Sequence, residues 1–338
     1  MTRKTTQYAA LLLTLALLLS GCLLPETGAR DTSASDRVLF AMDTEMSLRL
    51  YGDQGGKTMD ELEALLGELD GDLSVTAQAG ALAELNRTGR SDNEHIQNLT
   101  RGALALSAET GGALDITLYP ASLLWGFTTD AHRIPAAEEL EALSGRVGMD
   151  RITVDETGVT LQPDTVLDFG ALAKGYAADL CRARMEQAGL AGILNLGGNI
   201  QTVGAKPDGS DWVIGIQDPD GPDYRLTLTL SGSAAVVTSG DYQRYFEADG
   251  VRYCHILDPE TLSPVRGSLR SVTVVAKQGL TADGLATALF VLGREKGTEL
   301  WRQRQDFEAI WLEADGSVHI TAGLAGKVAG AECQVIEP

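Results

Sequence analysis

Trp212-Val-Ile-Gly-Ile216, Arg225-Leu-Thr-Leu-Thr-Leu230 and Ala234-Ala-Val-Val-Thr238 follow one another with no helical segment between them. Leu and Thr alternate through the second run, the period-two pattern of a strand with one apolar face. Strands joined by such short connections pair antiparallel, because a parallel neighbour needs a crossover of a dozen residues or more. The pattern continues outward. Tyr245 to Cys254 reads as a hairpin turning at Asp249-Gly250, Ser271 to Ala276 as a strand, and Phe307 to Ile320 as a closing hairpin turned at Asp315-Gly316. Ile152–Val154 and Val159–Leu161 form another hairpin around Glu156-Thr157-Gly158, and Ile193-Leu194 leads into the tight turn Asn195-Leu196-Gly197-Gly198-Asn199. Val38 to Tyr51 reads as one strand containing Met42-Asp43-Thr44. Helices are fewer. Met59, Leu62, Leu65, Leu66 and Leu69 mark one, Ser91 with Glu94 is a capping box opening another, and Ala137–Leu143 and Ala282–Leu292 are two more. Strands clustered in hairpins predict an α+β fold, a mixed α/β arrangement with mostly antiparallel sheets and packed helices, rather than a doubly wound sheet.

The N-terminus predicts export. Arg3 and Lys4 precede an apolar stretch from Tyr8 to Leu19, which is followed by Ser20-Gly21-Cys22. This is a secretory leader, too short and wrongly flanked for a stable span. Its Leu-Ser-Gly-Cys ending resembles a bacterial lipobox, which makes Cys22 the lipidated first residue of the mature chain. Residues 1–21 are therefore read as a lipoprotein signal peptide, 22–36 as a flexible tether and 37–338 as one folded domain. Location follows as the outer face of the cell membrane, through the lipid anchor.

The net charge of −20 becomes two units more negative once Arg3 and Lys4 leave with the leader. That excludes nucleic acid as a partner and argues against electrostatic adhesion to anionic lipid. A phosphate-bearing ligand then needs local compensation. Cys181, Cys254 and Cys333 are scattered, without disulfide-framework or metal-site spacing, and the first two sit among apolar neighbours as buried thiols.

Leu167-Asp-Phe-Gly-Ala-Leu-Ala-Lys-Gly-Tyr-Ala-Ala-Asp179 carries the strongest chemical signal. Val166-Leu167 reads as a strand end, Gly170 as a sharp turn, and the residues from Leu172 as a helix with Lys174 near its start. A helix start favours an anion, Lys174 adds a full charge, and Asp168 can hold a metal or a ligand hydrogen bond. An amphipathic helix with a surface lysine fits the same residues. Asp283 and Thr287, four apart on a helix, present a carboxylate and a hydroxyl that suit Mg²⁺. Judged alone, capping by Asp283 and back-bonding by Thr287 explain them better. His255, at a strand end, fits a structural or a catalytic role, while His95, His132 and His319 read as surface residues. Gly111-Gly112-Ala113-Leu114-Asp115 with Trp125-Gly126-Phe127 suits either the lining of a flat ring or a packed core.

The order of these motifs is more specific than any one of them. Met42-Asp43-Thr44, Gly112-Ala113-Leu114-Asp115, Leu124-Trp125-Gly126-Phe127, Leu167-Asp168 with Ala173-Lys174-Gly175-Tyr176 and Asn195-Leu196-Gly197-Gly198-Asn199 occur in sequence. Thr238-Ser239-Gly240-Asp241-Tyr242, His255-Ile256-Leu257-Asp258-Pro259 and Ala282-Asp283-Gly284-Leu285-Ala286-Thr287 complete the series. Together, over residues 38 to 320, they resemble the FAD:protein FMN transferase, or ApbE, family.

The resemblance implies a tunnelling-fold-like core and a transferase catalytic domain over residues 37–338. It implies cleavage of FAD at its pyrophosphate, release of AMP, and attachment of FMN to a Thr or Ser hydroxyl of a partner protein. Asp168, Lys174, His255, Ala113, Leu114, Asp115 and Met42 would line the flavin nucleotide site. The main-chain oxygen of Ala171, with Asp283 and Thr287, would hold Mg²⁺. His255 would be the general base. The implied acceptor is a flavoprotein subunit of a membrane or extracellular electron-transfer system. Two other functions share the motifs: an FAD pyrophosphatase giving free FMN and AMP, and a non-enzymatic FAD-binding lipoprotein. The chain departs from the family pattern at Thr76, where Tyr is frequent, and at Asp43 and Leu262, where Gly is frequent.

Overall fold

The computed structural model describes residues 33–129 and 131–338. The leader, Cys22 and most of the tether lie outside the described residues. Nine strands form the main sheet and lie side by side in chain order: Ala34–Ala41, Thr44–Tyr51, Ala191–Leu196, Asn199–Val203, Ala234–Gly240, Leu269–Ala276, Phe307–Glu313, Val318–Thr321 and Cys333–Ile336. Every neighbouring pair is antiparallel except the last. The mixed, mostly antiparallel α+β expectation holds.

Burial along each strand reports what covers it. Thr44–Tyr51 alternates, with Met46, Leu48 and Leu50 buried and Glu45, Ser47 and Arg49 exposed, because helices cover only its inner face. Leu269–Ala276 is buried along nearly its whole length. A second sheet of Trp212–Gln217, Tyr224–Leu230 and Val328–Ala329 packs on its outer face, with Ile214, Leu226 and Leu228 against Val236, Val275 and Ile310. On the inner face lie the helices Gly55–Leu73, Glu94–Glu109, Ala173–Gln187 and Gly279–Arg304, around a core that includes Phe169, Met185 and Trp311.

Several local expectations are corrected. Val38 to Tyr51 is a hairpin, because Met42 (φ 50°) and Asp43 (φ 58°) are both left-handed and reverse the chain in two residues. Its first strand begins at Ala34, inside the stretch read as tether, and Asp36 pairs with Arg49 at 2.6 Å. The helix after Ser91 is capped by Asn93, whose Oδ1 accepts the Ile96 N–H at 3.1 Å. Ser91 instead pairs with Val159 in a small sheet. Val166-Leu167 is not a strand end. The Asn86 side chain takes the place of a neighbouring strand, donating to the Leu167 carbonyl at 3.0 Å and accepting its N–H at 2.8 Å. The helix placed at 282–292 runs from Gly279 to Arg304, broken at Gly293 by φ 75°, ψ 172°.

Register gathers the functional loops. Ala41 pairs with Thr44, Leu196 with both Met46 and Asn199, and Gly240 with Ser271. The Met42-Asp43 turn, the Gly197-Gly198 turn and the end of strand Ala234–Gly240 therefore share one end of the sheet.

Candidate active site

Two helices cross at this end through a pair of glycines. A Cβ on Gly175 would lie 2.2 Å from the Gly279 carbonyl oxygen, and one on Gly279 would lie 2.3 Å from that of Gly175. This contact lets each helix complete the other. Asp179, from Ala173–Gln187, accepts the Gly279 and Leu280 N–H groups at 2.8 and 2.9 Å. It thus caps the helix whose own N-cap residue, Gln278, makes no side-chain cap bond. Asp283 reaches back and accepts the Gly175 N–H on Oδ2 at 2.8 Å. Asp283 is therefore not the helix cap. It stands in the second turn, 5 % exposed, and serves the neighbouring helix. Burial pushes its carboxyl up, against the Lys174 charge, the Gly175 N–H and the Asn199 side chain. Thr287, one turn on, bonds Ser239 Oγ at 3.3 Å.

The Gly175 N–H, by turning to Asp283, does not close onto the Ala171 carbonyl, which accepts no backbone hydrogen bond among the described residues. Ala171 oxygen, the Asp283 carboxylate and Thr287 Oγ1 are thus an oxygen-only donor set with one full charge. That chemistry fits a hard, octahedral cation completed by water and phosphate. The described residues contain no group of three His, Cys, Asp or Glu side chains placed to hold a metal ion. A set with a single carboxylate is not of that kind.

Asp168 belongs to the same end. Its N–H donates to the Ile116 carbonyl at 2.8 Å, tying this segment to the Ala113–Thr117 loop. Its Oδ1 accepts the Gly170 N–H at 2.9 Å, so the carboxylate builds the turn and Gly170 needs no left-handed conformation. Burial raises the Asp168 carboxyl, opposed by that N–H and by the charges of Lys174 and Arg244. Asp115 Oδ1 accepts both the N–H and the hydroxyl of Thr117, at 2.7 and 2.6 Å, and its carboxyl too is raised by burial. Leu114 is 1 % exposed and packs into the core near Gly284, so only its backbone is available to a ligand. Met42 is half-buried against the core, its N–H on Asp70 Oδ1 at 2.8 Å.

His255 closes the group. Its N–H donates to the Arg244 carbonyl at 2.9 Å and its Nδ1 lies 3.2 Å from the same oxygen. A carbonyl only accepts, so the proton sits on Nδ1 and Nε2 keeps its lone pair. Burial, with the Arg244 and Lys174 charges, pushes the imidazole down to about 4. Lys174 and Arg244 make no ion pair within 4 Å among the described residues, so both cations remain available.

Other singled-out residues are structural. Trp125 and Phe127 pack with Phe246, Tyr253, Leu257 and Leu262, and Trp125 Nε1 donates to the Leu262 carbonyl at 2.9 Å. Cys181 and Cys254 are buried thiols pushed up to about 12 and about 11 by burial. His95 is not a simple surface residue: its Nδ1 lies 2.9 Å from the Tyr176 hydroxyl. His132 is exposed but stacks on Phe246 at 5.0 Å, and half-buried His319 lies 3.4 Å from Ser317 Oγ. Thr76 is exposed, and its hydrogen bond is to Ser74 Oγ at 3.2 Å. Sequence reasoning passed over Arg244 and Asn199. Arg244 faces His255 directly across a hairpin legible in the sequence, and that pairing was the signal available.

At this end of the sheet the Lys174 and Arg244 charges act on Asp168 beside an oxygen donor set, chemistry that suits an anionic ligand. The chain belongs to the ApbE family, whose model matches residues 42–311. It is 35 % identical over 294 residues to a Vibrio cholerae protein named FAD:protein FMN transferase, covering 83 % of this chain and 86 % of the relative. A Salmonella typhimurium protein of the same name is 32 % identical over 317 residues, covering 89 % and 91 %. Among solved structures, the ApbE protein of Thermotoga maritima superposes with a TM-score of 0.81 at 28 % identity, over 87 % of this chain and 99 % of that one. The Pseudomonas stutzeri flavinyl transferase ApbE does so at 0.79 and 31 %, over 89 % and 98 %.

Proposed function

We propose that this chain is a flavin transferase that moves the FMN moiety of FAD to a Thr or Ser hydroxyl of a partner protein, releasing AMP. The observation that carries the reading is the meeting of Lys174 and Arg244, without an ion pair among the described residues, with Asp168, beside the Ala171, Asp283 and Thr287 oxygens. Relatives named for this reaction, similar over most of the chain, support it.

In this mechanism the acceptor hydroxyl oxygen bonds to the FMN phosphorus, the bridging P–O bond breaks, and AMP leaves with the bond electrons. The hydroxyl proton passes to His255 Nε2, whose lone pair is kept free by the Nδ1–H bond to Arg244. Lys174 and Arg244 offset phosphate charge in a protein that is otherwise acidic. Ala171, Asp283 and Thr287 would hold Mg²⁺, which supplies charge stabilisation on the pyrophosphate when bound. Asp283, which orders the Gly175 turn, is 5 % exposed and so meets little bulk water.

Mixing the mature protein with FAD, Mg²⁺ and a candidate acceptor domain, then weighing the acceptor, tests the reading. A mass gain of one FMN ester supports transfer. Free FMN and AMP with an unmodified acceptor would replace it with hydrolysis. The lipid anchor is a separate proposal: Cys22→Ser should yield a soluble exported form active in vitro, and retention of that form in washed membranes would refute it.

A further inference from the structure

We propose that Asn199 is a positioning residue for Asp283, holding its carboxylate in the orientation that receives a divalent cation. The proposal rests on the metal reading above. Asn199 opens the strand Asn199–Val203, is 5 % exposed, and its Nδ2 finds no hydrogen-bond partner among the described residues. Its strand packs against the helix Gly279–Arg304, and its side chain flanks Asp283. A buried amide donor left unpaired is costly, and such groups are few in native proteins.

The turn does not explain Asn199. Asn195 builds it, with Oδ1 accepting the Gly198 N–H at 2.8 Å, while Asn199 pairs with Leu196 through its backbone. An apolar side chain would satisfy the strand equally well. What an asparagine adds is an amide donor beside a carboxylate that already has one fixed partner. The Gly175 N–H holds Oδ2, and among the described residues no other side-chain or backbone donor holds the Asp283 carboxylate within hydrogen-bond range. A carboxylate has about four acceptor positions, so it can take Gly175, a cation and Asn199 together. The amide then finds its acceptor as the carboxylate settles on the cation. This is the outer-partner arrangement by which ligating carboxylates are oriented, and loss of such a partner weakens metal binding by about 10- to 100-fold.

The test is Mn²⁺ alone, titrated by electron paramagnetic resonance into the full mature protein and into Asn199→Ala and Asn199→Asp, with the metal-free Tm of each measured alongside. For Asn199→Ala the expected result is Mn²⁺ binding about tenfold weaker, with a metal-free Tm equal to or above the parent's, since an unpaired donor has been removed. Asn199→Asp sets two carboxylates side by side, so its metal-free Tm should fall and Mn²⁺ should raise it by more than it raises the parent's. Equal Mn²⁺ affinity in the parent and Asn199→Ala overturns the proposal, as does a lowered Tm with affinity unchanged. Should Asn199→Ala not fold, Asn199→Asp decides: no extra Mn²⁺-dependent rise overturns the proposal. A parent that fails to bind Mn²⁺ removes the metal reading itself, and this proposal with it.

Discussion

Gly175→Ala tests whether the glycine crossing, rather than any one ligand, creates the site. The new methyl would stand 2.2 Å from the Gly279 oxygen, 2.5 Å from its carbonyl carbon and 2.6 Å from Asp283 Cβ. Two of these are backbone atoms that cannot swing aside, so the helices must part by roughly 1 Å to reach ordinary contact distances. Overpacking of this kind costs about 1–3 kcal/mol. Parting the helices also breaks the Gly175 N–H bond to the Asp283 carboxylate, about 1.5–3 kcal/mol for a bond to a charged group. The expected loss is about 2.5–6 kcal/mol, a fall in Tm of roughly 4–9 °C for a domain of this size. Calorimetry of the metal-free protein reads it directly. Gly67→Ala is the control, since Gly67 lies within a helix and its Cβ would meet nothing within 4 Å. That change should stabilise by about 1 kcal/mol through helix propensity. A Gly175→Ala protein melting within 1 °C of the parent would refute the reasoning, because the crossing would then be yielding.

The folded imidazole of His255 titrates near 4, below its ordinary 6.5, so it is neutral across neutral pH. Its contribution to stability is complete above about 6.5 and declines as pH falls toward 4, where the unfolded chain takes the proton first; the transfer rate should accordingly show no inflection near 6.5, and one there would contradict a neutral imidazole at this pH. Asp43 holds φ 58° on an exposed turn, so Asp43→Gly should raise stability by about 0.5–1 kcal/mol in urea unfolding, a result that a lower midpoint would exclude. Asp179→Ala removes the two cap bonds to Gly279 and Leu280 and should cost about 1–2 kcal/mol, with Mn²⁺ affinity falling as the start of the Asp283 helix frays; an unchanged midpoint would mean that water caps the helix as well.

The strands that decide the architecture were legible because their pattern is local. Leu–Thr alternation over Arg225–Leu230 and turn residues such as Asp249-Gly250 and Asp315-Gly316 report a half-buried antiparallel surface without reference to partners. The motif order was legible for the same reason and placed Asp168, Lys174, His255 and Asp283 in one family pattern before any geometry was known. Boundaries were not. Ser91 reads as a cap as readily as Asn93, and the choice turns on whether Val159 lies opposite. Met42-Asp43 lacks the glycine that would have announced a two-residue turn.

What the sequence determined by itself is the α+β class, the acidic balance that forces phosphate charge to be met locally, and the residue types able to meet it. The tertiary structure decided the role of each. Asp283 looks like a helix cap until the helix is seen to start at Gly279 and to be capped by Asp179. Asn199 carries no local signal, because its role depends on facing Asp283 from a distant part of the chain, whereas Arg244 meets His255 across one hairpin and gains its role only when that hairpin joins the site. The physical reason is one of range. Propensity and periodicity act over a few residues, whereas the direction of a buried carboxylate is set by hydrogen bonds and close contacts that exist only once the two helices have crossed at Gly175 and Gly279.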